Sequence, residues 1–563
     1  MKELFNLWNR ILGSTYDAVN TNSNADQRKK FKEKDAEANA TKPSTQYKSA
    51  IIVAILGLVG VLIGTFINVA NPYDFLFRWK LIFERGGEIY ELWREPPVEL
   101  YLKVYLWNVT NREEYLNGID DKLKLAEVGP YVYRELISHE NVTFNENGTL
   151  TAAPKHPLIW VPELSEGRKE DDMLILPNIA LLSIADVVSD SSYFTRLGLN
   201  IVIRQTESYP LVEMTAKEFM FGYSSKLLSL GNRFLSNWIY FEKLGLIDRM
   251  YDFDGDYETV YDGQKFGYKN IGLIEKYKGS TKIPQWDSPC GDITGASDGT
   301  KFQGYITPND SLLFFRKSMC RAKKLIRVNE TIANGLKAFV YNFDPDADDN
   351  GIEQESNKCF CRKNTKCKPK GLLDVRDCYY GFPIALSYPH FLDADKHLSA
   401  NVTGMNPDPS KHKTYFIIQP ESGLPIELAV RYQINMDLGS IKTIANCERF
   451  ENMVLPLLWT EIRMDKLPEF LGVRFRLYLN ILPLIEKSMM FGSFVGGVLL
   501  FLLALYKFVK IKKGRAQGFT DPWIEDALVY NIDRKLSSYI PDKRAVSAKE
   551  MEVYRESLMP LNA

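Results

Sequence analysis

The residues from Ile51 to Ala70 read IIVAILGLVGVLIGTFINVA and contain no charged side chain. A bilayer core requires about 20 apolar residues in a helix, so this stretch is long enough to cross a membrane. A second uncharged window, SMMFGSFVGGVLLFLLALY, runs from Ser488 to Tyr506. The sequence therefore predicts two transmembrane helices, at residues 49–70 and 488–508, which enclose a large loop of residues 71–487.

Lysine and arginine near the spans predict the orientation, because cytosolic flanks are enriched in these residues. Just before the first span lie Arg28, Lys29, Lys30, Lys32, Lys34, Lys42 and Lys48, and only Arg78, Lys80 and Arg85 follow it closely. The bias around the second span is weaker, but two spans place both tails on one side. We therefore expect cytosolic tails at residues 1–48 and 509–563 and an extracellular or lumenal loop.

The overall charge excludes one broad class of partner. The chain has 563 residues with 70 basic and 71 acidic side chains, which gives a formal net charge of −1. A dedicated nucleic-acid binder would carry a basic excess, so no nucleic-acid partner is expected. The hydrophobic share of 45% is ordinary for a folded protein and excludes wholesale disorder.

Cysteines and glycosylation sequons fit a loop on the oxidising side of the membrane. All seven cysteines lie in the loop: Cys290, Cys320, Cys359, Cys361, Cys367, Cys378 and Cys447. So do six N-glycosylation sequons, at Asn108, Asn141, Asn147, Asn309, Asn329 and Asn401, whereas the sequon at Asn39 lies in the predicted cytosolic tail and is expected to be silent. The spacing of Cys359, Cys361 and Cys367 also permits a zinc site, but the compartment favours disulfides.

The loop combines strand and helix patterns without an obvious linker or repeat. Strand-like alternation occurs in ELYLKVYLWNVT (Glu99–Thr110) and GPYVYREL (Gly129–Leu136), and later in TYFIIQP (Thr414–Pro420) and LPIELAVRYQINM (Leu424–Met436). Apolar residues at helical spacing predict an amphipathic helix near residues 224–244. The fold class is therefore α+β, with a strand-rich core and a helical insertion near residues 180–250.

Long motifs of the loop resemble the CD36 family, the class B scavenger receptors. They include IPQWDSPCGDITGASDGTKF (Ile283–Phe302), FFRKSMCR (Phe314–Arg321), the CFC triplet at Cys359–Cys361 and GLLDVRDC (Gly371–Cys378). The similarity continues in VGPYVYRE (Val128–Glu135), ALSYPHFL (Ala385–Leu392) and MNPDPSKHKTYFIIQPESGLPI (Met405–Ile426). It covers the loop and both spans, in order along the chain.

The resemblance implies an ectodomain with an antiparallel β-barrel-like core, a helical apex and an internal apolar tunnel, between two transmembrane helices. It also implies the disulfides Cys290–Cys359, Cys320–Cys378 and Cys361–Cys367, which leaves Cys447 as a buried free thiol. Many family members carry tail cysteines that accept palmitate, and this chain has none. The basic segment RKKFKEK (Arg28–Lys34) is either a solvated tail or a contact with anionic lipid.

By the same resemblance the apex falls within about residues 185–250 and docks ligand or lipoprotein. Its candidate docking residues are basic: Arg196, Arg204, Lys217, Lys226, Arg233 and Lys243, with Arg249 close by. Interleaved acidic residues make an ordinary mixed-charge surface the alternative. Fatty-acid-binding relatives carry lysines in the stretch that matches Gln205–Glu207, and this chain has none there, which favours a neutral ligand.

The sequence therefore predicts a class B scavenger receptor of the plasma membrane that takes up neutral isoprenoids such as carotenoids from lipoprotein through the tunnel. The alternatives are a co-receptor for lipid pheromones, like the sensory neuron membrane proteins, and a sorting receptor of the endolysosomal membrane. We expect lipoprotein particles and small lipids as partners and no cofactor. The G-x-x-x-G spacing of Gly492 and Gly496 permits a homo-oligomer.

No catalytic motif is evident, so an enzyme is not expected. The acidic loop with Asp346, Asp348, Asn350 and Gly351 matches the start of a calcium-loop template, but Asn357 occupies the position of the bidentate glutamate. We therefore expect a solvated loop and no metal site.

Overall fold

The computed structural model describes residues 43–234, 243–363 and 366–518, and these form two compact units. One unit spans Pro72–Leu484, and the other contains the described residues up to Asn71 and from Ile485 onward. The predicted α+β class is confirmed.

The strands, in chain order, are β1 Leu100–Val109, β2 Leu123–Glu135, β3 Ser138–Asn145, β4 Thr149–Lys155, β5 Leu158–Trp160, β6 Met173–Pro177, β7 Leu211–Thr215, β8 Glu258–Tyr261, β9 Ile274–Tyr277, β10 Leu312–Arg316, β11 Arg321–Ala333, β12 Leu336–Phe343, β13 Leu373–Asp374, β14 Ile384–Ser387, β15 Val402–Thr403, β16 Tyr415–Ile418, β17 Pro425–Asp437 and β18 Val454–Met464.

The helices, in chain order, are α1 Pro43–Ala70, α2 Pro72–Leu81, α3 Glu88–Arg94, α4 Arg112–Leu116, α5 Ile179–Ser189, α6 Tyr193–Gln205, α7 Ala216–Phe221, α8 Lys226–Phe234, α9 Leu246–Tyr251, α10 Pro409–His412, α11 Glu469–Arg476 and α12 Leu482–Gly518. A π-helical turn, Leu477–Ile481, joins α11 to α12.

A 12-stranded sheet organises the unit of residues 72–484. Its main path runs β10-β11-β12-β16-β17-β18-β1-β2-β15, and β5, β13 and β14 pair at its sides. Neighbouring strands are antiparallel except for the short β2–β15 pair. The sheet is open, because the outer strands of the path, β10 and β15, do not pair with each other. The expected barrel-like core is therefore this large antiparallel sheet and not a closed barrel.

Local sequence signals explain the main strands. Alternate residues of β1 are buried, as a half-covered strand requires, whereas the central β17 is buried on both faces. The β11–β12 hairpin turns at Asn334 and Gly335, whose φ angles are 51° and 75°. Positive φ at both positions is typical of the tight Asn-Gly turn that matches strand twist. Each long strand is thus fixed by its own pattern and turn.

A four-stranded sheet, β3-β4-β8-β9, and the two-stranded β6-β7 accompany the large sheet. The predicted helical insertion is confirmed by α5 to α9, which lie between Ile179 and Tyr251. The amphipathic helix expected near residues 224–244 begins at Lys226 as α8, and its second half falls at residues 235–242, outside the described part of the chain. Helix α5 is buried on nearly every face and anchors this segment in the core.

The second unit is a pair of helices that are long and apolar enough to cross a membrane, α1 and α12. They pack antiparallel, since Lys507 Nζ lies 3.4 Å from Ser49 Oγ and Gly57 adjoins Gly497. A Cβ on Gly497 would lie 2.6 Å from Val61 N, so the helices touch through bare backbone. The start of α1 and the end of α12 therefore lie at the same end of the pair.

Candidate functional site

An apolar cavity of about 110 Å³ lies inside the unit of residues 72–484. Pro96 and Pro97 stop α3 and keep the chain after it extended along the cavity. Strands β10, β16, β17 and β18 and helix α11 complete the wall. Its apolar lining includes Trp93, Phe314, Phe416, Val430, Met464 and Phe475. This cavity is the centre of the candidate site.

Two further spaces adjoin the central cavity and share wall residues with it. A cavity of about 230 Å³ beside α2 shares Ile89, Leu424 and Phe475. On another side, a constriction of about 20 Å³ shares Arg316, Val430 and Ile462. Together with a cleft, these spaces make a series of four that adjoin through shared wall residues. The series begins at residues adjacent in sequence to the two spans.

The open cleft, of about 700 Å³, is the last of the four. It shares Ser318 and Tyr379 with the constriction. The disulfide Cys320–Cys378 forms part of its wall. Charged residues such as Arg249, Asp252 and Lys317 also line it, so the cleft is more polar than the central cavity. Among the four spaces, the constriction between the cleft and the apolar central cavity is therefore the narrowest.

A buried carboxylate neutralises the charge at the constriction. Glu135, at the end of β2, accepts hydrogen bonds from Arg316 Nη2 at 3.0 Å, His156 Nδ1 at 2.7 Å and Tyr251 OH at 2.7 Å. Burial opposes its ionisation, but Arg316 and His156 lower the pKa of Glu135 to about 2. Burial lowers the pKa of His156. The arginine in the wall therefore has its own counter-ion.

Lys301 is a buried lysine in the wall of the central cavity. Its Nζ donates to Phe302 O at 3.0 Å, and no carboxylate among the described residues pairs with it. Burial lowers the pKa of Lys301 to about 7, so the amine is partly neutral at physiological pH. It can offer a hydrogen bond to a polar group within an otherwise apolar cavity. No pattern in the sequence indicates that this lysine lines a cavity.

The candidate docking residues divide into engaged and open side chains. Arg196 donates to Ser189 O at 3.1 Å, and Lys217 pairs with Glu170 at 2.9 Å. The others are exposed and make no ion pair with any residue that the structure describes: Arg204, Lys226, Arg233 and Lys243. Nearby Arg249 pairs with Asp252. The basic residues thus form no single dense patch.

An exposed apolar face on α6 is the stronger surface feature of this region. Tyr193, Phe194, Leu197 and Ile201 are 65%, 80%, 43% and 50% exposed. Their spacing of three and four places them on one side of the helix. Asn200, next to these residues on the helix, fixes α6 by donating to Thr443 O at 3.0 Å and accepting from Ala445 N at 2.8 Å. We call the four apolar residues the α6 face.

The structure contains three disulfides, Cys290–Cys359, Cys320–Cys378 and Cys361–Cys367, and Cys447 is buried and free. The first two close chain loops of 69 and 58 residues. In the chain-entropy account, each such loop stabilises the fold by about 4 kcal/mol. Of these two bridges, Cys320–Cys378 lines the cleft.

Five of the six sequon asparagines are exposed: Asn141, Asn147, Asn309, Asn329 and Asn401. Asn108 differs because it is half-buried in β1, and its Oδ1 accepts a hydrogen bond from Ile175 N at 2.9 Å.

The acidic loop of the calcium template binds its own backbone and side chains. Asp349 accepts hydrogen bonds from the backbone of Gly351 and Gln354, both at 2.9 Å, and Asp348 pairs with Lys323. These carboxylates are therefore occupied within the chain.

Comparison with known proteins gives consistent results. Residues 50–508 match the sequence model of the CD36 family. Scavenger receptor class B member 1 of Sus scrofa is 31% identical over 469 residues, which cover 81% of this chain and 89% of the relative. The Cricetulus griseus protein of the same name is 31% identical over 418 residues (73% and 80%), and Lysosome membrane protein 2 of Homo sapiens is 28% identical over 395 residues (69% and 80%).

Proposed function

Because the chain belongs to the CD36 family, we propose that it is a class B scavenger receptor that transfers lipid from lipoprotein to the membrane. The relatives are named as receptors and as a lysosomal membrane protein, and we propose no catalytic activity and no cofactor for this chain.

The observation that carries this proposal is the line of four spaces with shared walls. It begins beside α2 and the segment around Leu479, which lie next in sequence to the two spans, and it ends in the open cleft. Each CH₂ group of a lipid costs roughly 0.8 kcal/mol when it is exposed to water. An apolar passage removes that cost. The central cavity is below the roughly 300–1,000 Å³ of common ligand sites, so a lipid would pass as an extended chain.

The charges along the passage favour a neutral lipid. Arg316 is compensated by Glu135, and the remaining wall of the central cavity is mostly apolar. At the apex, Gln205, Thr206 and Glu207 offer no lysine to a fatty-acid carboxylate. A carotenoid or another neutral isoprenoid fits these conditions, and Lys301 can donate to an oxygen atom of such a ligand.

We propose that the particle docks on the α6 face, with the exposed Arg204, Lys226, Arg233 and Lys243 as secondary attractive charges. An exposed apolar helix face can insert among the lipids of a particle surface, where its burial is favourable. Arg196 and Lys217 are less suited because both already have partners within the chain.

Two antiparallel helices that could cross a membrane support a two-span protein with both tails on one side. We propose that this side is the cytosol, that residues 71–487 face outward at the plasma membrane and that the exposed sequon asparagines carry glycans. The homo-oligomer through Gly492 and Gly496 also stays a prediction. A Cβ at either glycine would meet no described atom within 4 Å, so both are free of the α1 contact.

Uptake by cells that express the chain tests the proposal. Carotenoid, cholesteryl ester and fatty acid would be presented on the same lipoprotein, together with a label on the particle protein. We expect carotenoid to accumulate without the particle protein. Accumulation of all lipids in particle proportions would indicate bulk endocytosis and contradict the proposal.

The similarity to Lysosome membrane protein 2 supports a second candidate, a sorting receptor of the endolysosomal membrane. A sensory co-receptor for lipid pheromones is the remaining alternative. Surface biotinylation separates the first, because a lysosomal protein would show little receptor at the surface. Expression confined to sensory cilia would favour the co-receptor.

A further inference from the structure

Two buried side chains and one partly buried side chain converge beside the central cavity from different parts of the chain. They are His139 on β3, Glu258 at the start of β8 and Asp298 in the segment before β10. One ligand atom from each lies within 4.8 Å of the other two. We call these residues the His139 cluster. His139 lies more than a hundred residues before Glu258 and Asp298 in the chain, so no short sequence motif contains all three residues.

The two sheets hold the cluster in place. His139 lies opposite Pro154 and Glu258 opposite Ala152 on the strand between them, β4. Residues two apart on a strand point to the same face, so both side chains project from one side of the small sheet. Asp298 is held beside the large sheet because Ser297 N donates to Leu313 O at 2.9 Å.

The donor atoms of the cluster are oriented by surrounding bonds. His139 stacks on Trp93 with ring centroids 3.9 Å apart, and its Nδ1 lies 2.9 Å from Trp93 O. That bond makes Nδ1 the donor and leaves Nε2 directed toward the carboxylates. Asp298 Oδ1 accepts from Thr300 N at 2.8 Å and Thr300 Oγ1 at 2.7 Å, which leaves Oδ2 facing His139.

These inward-facing atoms lack hydrogen-bond partners. His139 Nε2 is 3.4 Å from Glu258 Oε1 and 3.7 Å from Asp298 Oδ2, both beyond the usual hydrogen-bond range. Nε2 and Glu258 Oε1 are sealed from solvent, and neither has a hydrogen bond to any described residue. His139 and Glu258 have side chains only 1% and 6% exposed. A buried polar group without a hydrogen-bond partner destabilises the fold, so the arrangement favours an occupant.

The spacing suits a small divalent cation. Zinc binds histidine nitrogen and carboxylate oxygen at about 2.0–2.2 Å, which places tetrahedral ligands about 3.3–3.5 Å apart. The distances of 3.4 Å and 3.7 Å from His139 Nε2 to the two carboxylate oxygens are close to this ligand-to-ligand distance. A backbone carbonyl that accepts from the second ring nitrogen is the usual support of a metal-ligating histidine. An imidazole ligand also disfavours calcium and magnesium, which prefer oxygen.

We propose that the His139 cluster binds one Zn²⁺ ion through His139 Nε2, Glu258 and Asp298, with a fourth position left for water or a ligand group. Two carboxylates and a neutral imidazole balance the charge of the ion, as a buried site requires. Asp298 lines the central cavity, which supplies an entry path. The ion would join the small sheet to the segment that carries Lys301.

The competing occupant is a proton. Burial opposes a charge on His139, but Asp298 and Glu258 raise the pKa of His139 to about 9. A histidinium between two carboxylates would also satisfy the cluster in part. Metal content, and not stability, therefore has to decide between the two.

The test uses the full-length chain, purified in detergent with a tag that contains no histidine. The protein is stripped with a chelator, equilibrated with ZnCl₂ and separated from free metal, and zinc per chain is measured by mass spectrometry. Replacement of zinc by Co²⁺ adds a visible spectrum that reports tetrahedral coordination. We expect saturation at about one ion per chain. No saturable binding by the wild type would overturn the proposal.

Variants locate the ion. Asp298→Asn keeps the oxygen that accepts from Thr300 and removes the charge, and His139→Gln removes the nitrogen ligand. Both should weaken zinc binding at least about tenfold. The control is His397→Gln, since His397 is an exposed histidine 2.9 Å from Asp395 and should not matter. Zinc should raise the Tm of the wild type but not of Asp298→Asn. Equal binding by all variants would place the ion elsewhere and overturn the assignment.

Discussion

Because Lys301 is buried in the wall of the central cavity, its titration makes the stability of the fold depend on pH. Its amine has an ordinary pKa of 10.5, and burial lowers the folded-state value to about 7. The unfolded chain therefore binds more protons between these values, so this residue makes the protein more stable as pH rises from about 7 to 10.5. Below about pH 7 the full cost of burying the charge is present.

Lys301→Met is expected to stabilise the purified receptor at pH 6–7 by about 3 kcal/mol. Methionine is similar in length to lysine but carries no charge, so the cost of burying the charge is removed. The advantage over wild type should fade toward pH 10. Thermal unfolding in detergent at several pH values measures it. A constant difference across that range would show that Lys301 is not titrating as the structure indicates.

Glu135→Gln is expected to destabilise the fold by about 3 kcal/mol, because it leaves Arg316 buried without its counter-ion. The exposed pair of Asp254 and Lys155 provides the control, and Asp254→Asn should leave the unfolding midpoint nearly unchanged. Because the pKa of Glu135 falls from 4.5 to about 2, its stabilisation is complete above about pH 4.5 and disappears toward pH 2. A loss of the wild-type advantage already at pH 6 would contradict this assignment.

At the scale of elements, the α6 face and the two apolar helices carry separate expectations. Phe194→Asp should reduce lipoprotein binding about tenfold, because burial of an aromatic side chain contributes about 1.5–3 kcal/mol. Ile332→Asp is the control, since Ile332 on β11 is 78% exposed and Phe194 is 80% exposed. Particle binding to intact cells is measured after normalisation for surface receptor. Equal effects of the two changes would remove the α6 face from docking.

Gly496 and Gly497 are neighbours in α12, but only Gly497 contacts α1. Gly497→Ala places a methyl group against the backbone of α1, whereas Gly496→Ala meets no described atom within 4 Å. Only the first should lower the Tm and surface expression, because close backbone contact holds such helices together. If Gly496→Ala were the more damaging change, the helices would pack through another face.

Patterns within one element could be predicted from the sequence, and contacts between distant elements could not. The spans follow from uninterrupted apolar runs, and strands such as β1 and β17 follow from their burial patterns. The Gly492–Gly496 spacing does not reveal the contact between α1 and α12, which uses Gly57, Gly60, Gly64 and Gly497. A spacing rule identifies small residues but not the side of the helix that meets its neighbour.

The candidate site was mostly hidden for the same reason. Lys301 belongs to the motif Ile283–Phe302, but its position in the wall of the central cavity is evident only in the folded protein. His139 and Glu258 meet across β4 through strand register, which one sequence does not reveal. The family resemblance implied the helical apex and the three disulfides, while the position of Cys320–Cys378 in the cleft wall and the charge balance at Glu135 required the structure.

At the scale of the whole molecule, the central claim is that lipid travels through the ectodomain while the particle stays outside. Val430 belongs to the walls of both the central cavity and the constriction. Val430→Phe fills the narrowest point at a stability cost of about 1–3 kcal/mol. Val328→Phe makes the same change at a residue of β11 that is 51% exposed, and it serves as the control.

The measurement that tests this claim most directly is simultaneous particle binding and carotenoid transfer in cells that express either variant at equal surface levels. The account predicts that Val430→Phe keeps wild-type binding of labelled lipoprotein and loses most carotenoid transfer, while Val328→Phe changes neither. Carotenoid transfer by Val430→Phe at the wild-type rate, or a parallel loss of binding and transfer, would contradict it.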